Sequence, residues 1–128
     1  MPLGDPHGGN FIYTNEGIPS GIALVTIPSK DIGRSVRFYN GLLKMDICSQ
    51  NDDEAILSAG KDFIRLVIGQ TGAETGLYLR TDSVYDLHRR LIDEGVIFVM
   101  DPKRTHLGLI TSFKDDDGNI IYALEVKK

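Results

Sequence analysis

Three histidines and one cysteine are the readiest bases, nucleophiles and metal ligands in the chain, and none is spaced for joint work. His7 lies near the N-terminus, His88 sits beside Arg89 and Arg90, and His106 precedes Leu107. No pair has the His-x-x-x-His interval that puts two imidazoles on one helix face. His88 reads as solvent-facing. His106, expected on a loop, is a candidate acid or base, because imidazole titrates near neutral pH. Cys48 has no histidine nearby to take its proton and reads as a small core residue. One cysteine allows neither an intrachain disulfide nor a Cys-rich zinc site. Asp115-Asp116-Asp117-Gly118 has the acidity of a calcium loop but lacks the bidentate glutamate that closes one, so it reads as a turn. No Gly-x-Gly-x-x-Gly and no phosphate-binding P-loop is present.

The elements that must position these side chains follow from punctuation and periodicity. Ile22 to Ile27 is a β-prone run ended by Pro28. Ser29 or Asp31 can cap a helix over 31–43, with Ile32, Val36, Tyr39 and Leu43 as its buried stripe and Gly41 weakening its end. Met45 to Ser49, Glu54 to Ala59 and Phe63 to Ile68 follow as strands. A polar stretch, 69–75, then separates two similar halves. Gly76 to Arg80 reads as a strand. Asp82 or Ser83 caps a helix with Leu87, Leu91 and Ile92 inward, and Gly95 stops it. Val96 to Met100, ended by Asp101-Pro102, is a strand, and Leu107 to Phe113 and Asn119 to Val126 form a hairpin across Asp117-Gly118. Each half spans too few residues to bury a core alone, so the halves must pack together, within one chain or between chains.

Composition narrows the partners. The chain has 128 residues, with 14 Lys and Arg against 18 Asp and Glu, and a net charge of −4. No basic footprint is present for nucleic acid, and no polybasic stretch for an anionic membrane. The longest apolar run, Val96 to Met100, falls far short of the ~20 residues of a membrane span. The first residues lack a secretory signal's basic and apolar regions. A reducing, cytoplasmic setting is the expectation. Residues 1–20, rich in proline and glycine, read as an irregular arm in which Phe11-Ile12-Tyr13 can add a strand. Residues 21–128 read as one domain with modules 21–69 and 75–128.

Three stretches carry a family resemblance. Asp31 to Tyr39 has an acidic-apolar start followed by Phe38-Tyr39. Asp86 to Gly95 runs into Val96-Ile97-Phe98-Val99. Phe113-Lys114-Asp115-Asp116-Asp117-Gly118-Asn119 is similar to a Phe-x-Asp-Pro-Asp-Gly-Asn hairpin, with Asp116 in place of proline. In this order and spacing the chain resembles the vicinal oxygen chelate superfamily of glyoxalases, bleomycin-resistance proteins and extradiol dioxygenases. The resemblance implies an α+β fold of two βαβββ modules, with curved mixed sheets around a pocket, and a homodimer. It also implies where a divalent metal would be held: Ile22, Arg65, Gly76 and Tyr122. An aliphatic, a cation, a bare backbone and a phenol are a poor ligand set, so no metal and no cofactor are expected.

On that fold, alternate residues of each strand point into the cup. The implied inward sets contain Phe63, Arg65, Tyr78, Arg80 and Tyr122, an aromatic surface with two guanidiniums and no acid. These five are the candidate ligand-binding residues. The arginines either hold an anionic ligand or pair with Glu54, Asp62 or Glu125. The favoured reading is a metal-free protein binding a small anionic or aromatic molecule. The alternative is an enzyme, an isomerase or lyase, using Tyr122 or His106 as proton donor, and metal-dependent only if the implied ligand positions are wrong.

Overall fold

The computed structural model describes Ile12 and residues 16–126. Most of the expected arm, including His7 and the Phe11 and Tyr13 of the expected strand, lies outside the described residues. Strand β1 (Leu24–Ser29) leads into helix α1 (Ile32–Val36), then β2 (Asp46–Gln50), β3 (Glu54–Ala59) and β4 (Asp62–Ile68). The order repeats as β5 (Glu74–Arg80), α2 (Val84–Asp93), β6 (Phe98–Arg104), β7 (Gly108–Lys114) and β8 (Ile120–Val126). The strands form two open four-stranded sheets, ordered β1-β4-β3-β2 and β5-β8-β7-β6. In each, the first strand runs parallel to the last and the other pairings are antiparallel.

Both helices start on a side-chain cap. The Asp31 carboxylate accepts from the Arg34 N–H at 3.1 Å, and the Ser83 hydroxyl accepts from the Asp86 N–H at 3.1 Å. Ile32, Val36 and Tyr39 are buried as the periodicity requires. After Val36 the helix widens into π turns over Arg37–Leu42, with the Leu43 N–H donating to the Phe38 carbonyl at 3.3 Å. The consecutive Phe38 and Tyr39 are both buried, edge to face with ring centroids 5.2 Å apart.

Several local expectations are corrected. Pro28 lies inside β1, because β1 is an edge strand and its outer side needs no ladder N–H. Pro102 likewise lies inside edge strand β6, at an irregularity between Met100 and Lys103. Ile22 precedes β1 and is exposed. In α2 the buried stripe is Val84 and Leu91, and Ile92, one position round from Leu91, is 48% exposed. His88 falls on that stripe's flank and not on a solvent face: its ring meets Phe98 edge-on at 4.4 Å. Cys48 is exposed on β2 and not in the core.

One core serves both halves. Ile27, Leu57 and Leu66 of the first sheet join Phe113, Ile121 and Ala123 of the second in a single buried cluster, with α1 residues and Leu91 of α2. The turn between β7 and β8 ties the halves together at one end. Buried Asp115 accepts from the backbone N–H groups of Asp117 and Asn119, each at 2.9 Å. Its second oxygen accepts from the Tyr39 hydroxyl at 2.6 Å and the Asn119 amide at 2.9 Å. The same amide nitrogen donates to the Pro28 carbonyl at 2.8 Å, and the Asn119 amide oxygen accepts from Gly72 N–H at 2.9 Å and Ala73 N–H at 3.2 Å. Two donors and two acceptor sites are the whole capacity of an asparagine side chain, and all are used. Above the turn, Arg34 of α1 pairs with Asp116 at 3.1 Å and with Asp117.

This packing moves two acids. Burial, then the charge and hydrogen bond of Asp115, hold the Tyr39 phenol well above its ordinary range. Burial, then repulsion from Asp117 and Asp115, raise Asp116 despite Arg34. The fold therefore holds the Asp116 proton more tightly than the unfolded chain does. Its ionisation costs stability as pH rises through that raised value.

Replacing Asn119 with alanine is expected to cost about 3 kcal/mol, because it leaves a hole at a fully buried position and removes the amide from buried Asp115 and from the part-buried Gly72, Ala73 and Pro28 backbone groups; urea unfolding measures it, and an unchanged midpoint refutes the tie. Asp116→Asn is expected to raise the melting temperature at neutral pH. The gain should shrink as the solution is acidified and the parent's Asp116 takes up its proton. A gain that grows with acidity contradicts the sign.

Candidate functional site

Bound to each other at the Asn119 end, the sheets leave a cavity of about 710 Å³ near the start of β1 and the end of β5. That volume suits a small organic ligand. Leu24 and Phe63 line it from the first sheet, Tyr78, Arg80 and Leu124 from the second. Leu43, Met45 and Leu87 close it on the helix side. Gly76 also borders it, with φ +71° at an irregularity in the β5–β8 pairing, a conformation a side-chain-bearing residue rarely adopts.

Three of the five candidate ligand-binding residues meet here. Phe63 and Tyr78 are 40% and 47% exposed, so both rings offer free apolar surface. The Arg80 side chain has no ion-pair or hydrogen-bond partner among the described residues and borders the same space.

The other two lie on the same faces but outside the cavity lining. Thr26 pairs with Arg65 in register and Leu24 with Phe63, which puts Arg65 one β-repeat, about 7 Å, nearer the Asn119 end. There Arg65 binds Glu54 through Nε at 2.6 Å and Nη2 at 2.5 Å, so its charge has a structural partner. Tyr122 stacks on Tyr78 with centroids 4.5 Å apart and planes 13° from parallel. Its hydroxyl meets both oxygens of Glu74 at 3.0 and 3.1 Å. That hydrogen bond, with some burial and the Glu74 charge, raises the phenol above its usual value and makes it a weaker proton donor. Tyr122 therefore touches the cavity lining only through the ring of Tyr78. His106 is exposed and does not line the cavity.

Sequence reasoning missed Val25, Lys44, Met45, Leu79 and Arg90, all of which border the cavity. Val25 and Leu79 alternate away from the cup face, yet the opening reaches past the edges of β1 and β5 and exposes both faces. Lys44 and Arg90 come from the helix side, where strand alternation carries no signal.

The comparisons with known proteins agree with this architecture. A family model described as the Glyoxalase/Bleomycin resistance protein/Dioxygenase superfamily matches residues 21–122. The chain belongs to that superfamily. No curated protein matches it. Among solved structures, TnmS3, an antibiotic binding protein from Streptomyces sp. CB03234, is 25% identical with a TM-score of 0.76, over 88% of this chain and 100% of that one. A glyoxalase/bleomycin resistance protein from the same organism is 27% identical with a TM-score of 0.72, over 82% of this chain and 100% of its own. Lactoylglutathione lyase from Agrobacterium tumefaciens shares the fold alone, at 14% identity and a TM-score of 0.73 over 84% of this chain and 95% of that one.

For this member of the glyoxalase superfamily, the residues at the implied metal positions do not fit a divalent ion. Ile22 has no donor atom, Arg65 is a cation bound to Glu54, Gly76 has no side chain, and the Tyr122 phenol is held by Glu74. Among the described residues, no three of His, Cys, Asp and Glu come together as a metal-holding group. Among the described residues, no helix is long and apolar enough to cross a membrane.

Proposed function

We propose that the protein is a metal-free binder of a small aromatic molecule, working as a homodimer in the cytoplasm. The ligand lies in the cavity against Phe63 and Tyr78, and the unpaired charge of Arg80 at its border favours an anionic ligand over a cationic one. The observation that carries this reading is a ligand-sized cavity with two aromatic side chains partly free and an arginine beside them without a partner. A planar ligand on Tyr78 extends the stack that Tyr122 begins, a contact worth about 1 kcal/mol beyond its buried area. The 25% identity to an antibiotic binding protein over most of both chains supports binding as the activity. The enzyme alternative gains no such support. Tyr122 is a weakened acid, and His106 stands away from the cavity.

The dimer rests on apolar surface. Ile22 is 79% and Ile97 65% exposed, with Val99 and Leu107 half exposed, a load that association would cover.

Calorimetric titration with a panel of aromatic acids and aromatic drugs tests the site. A hit is expected to weaken at least about tenfold in Tyr78→Ala, and much less in Tyr122→Phe, which keeps the stack. Dialysis against EDTA should leave the affinity unchanged. A tightly bound zinc, nickel, manganese or iron ion at one per site overturns the metal-free reading. Sedimentation should return twice the 14.1 kDa chain mass, and a monomer at micromolar concentration removes the dimer.

A further inference from the structure

The cavity's charge is opposite to that of the chain. The chain carries a net −4. The residues lining the cavity include Lys44, Arg80 and Arg90 but a single carboxylate, Asp62. None of these four forms an ion pair with another described residue. Arg90 is oriented instead by a neutral group: its Nη1 donates to the Leu42 carbonyl at 2.7 Å, two residues before Lys44. That contact fixes the guanidinium, and no described acid stands within ion-pair distance of it.

Lys44 adds a second, independent sign. Its φ of +61° makes it the one non-glycine residue with a left-handed backbone among the described residues. It stands just past the end of the first helix. At the matching place past α2 the chain has Gly95, with φ +85°. Glycine takes this conformation without strain and lysine does not. The first half of the fold thus keeps a strained lysine, beside the cavity, where the second half uses glycine.

We propose that Lys44 and Arg90 form an anion-binding subsite on the helix side of the cavity, so that the ligand is an aromatic acid whose carboxylate, sulfonate or phosphate lies between them. The proposal rests on the binding reading above and names its ligand class. The ring system occupies the Phe63 and Tyr78 surface, and the acidic group meets the exposed Lys44 and Arg90 side chains through charge-assisted hydrogen bonds. Cationic aromatics are rejected by the same pair.

Two fluorescent probes that share an anilinonaphthalene body test this on the full chain: 8-anilinonaphthalene-1-sulfonate, and N-phenyl-1-naphthylamine, which lacks the sulfonate. The sulfonate probe is expected to bind about tenfold more tightly, and less so as salt is added. Lys44→Met and Arg90→Met should each remove most of that preference while leaving the uncharged probe's affinity unchanged. Lys44→Gly should raise the melting temperature and still lose the preference, a split that a merely structural lysine would not give. This variant keeps the test decisive if Arg90→Met fails to fold. Equal affinity for the two probes, or equal weakening of both in the Lys44 variants, overturns the subsite. If the uncharged probe binds and Tyr78→Ala weakens it, the binding reading survives that result. If neither probe binds, both readings fall.

Discussion

A fully buried asparagine holds this molecule's two halves in one arrangement. Neither half can bury a core alone, so the structure depends on what fixes one half against the other. Apolar packing supplies most of the free energy but little direction. The Asn119 amide supplies direction, since its four hydrogen-bond positions are filled by Pro28, Asp115, Gly72 and Ala73. Shifting the first sheet would break the bond to Pro28, and moving the segment before β5 would break those to Gly72 and Ala73. Asp115 and Tyr39 extend the tie to the first helix.

The cavity is the other consequence of that constraint. The sheets share one core along their length, and the gap lies beside it, at the end away from Asn119. The edges of β1 and β5 border the gap, and the helices close its back. Function then depends on which side chains remain without partners at that level. Along the cup face, Glu54 neutralises Arg65 and Glu74 takes the Tyr122 hydroxyl. Nearer the open end, Phe63, Tyr78 and Arg80 have no such contacts closing them off. The face is polar where it is internally satisfied and available where it borders the cavity.

Asp116 shows a smaller tension in the same region. Three successive carboxylates form the turn, and only Arg34 opposes their charge from α1. Asp115 is fully occupied by hydrogen bonds and Asp117 by Arg34, Ser35 and Lys30. Asp116 has one buried oxygen without a partner, and its proton affinity rises accordingly. The turn's geometry, set by its first and last residues, tolerates a poorly solvated acid between them.

The amino-acid sequence by itself determined the element order and the doubled βαβββ plan, and it narrowed each helix cap to two residues, Ser29 or Asp31 and Asp82 or Ser83, from which the structure takes Asp31 and Ser83. These depend on local chemistry: side-chain alternation, caps and turn residues act within a few positions. It also carried the unsuitability of Ile22, Arg65, Gly76 and Tyr122 for metal, once the family plan was in view. Tertiary structure alone decided where along each strand the cavity lies, and so separated Phe63 from Arg65, identical in pattern but about 7 Å apart along the strand. It decided that Glu54, among three possible acids, pairs with Arg65. It placed Lys44 and Arg90, from segments with no shared periodicity, on the border of one cavity, and it allowed Pro28 and Pro102 inside strands because both strands are edges. Each of these outcomes depends on distances between chain segments, which no local pattern encodes.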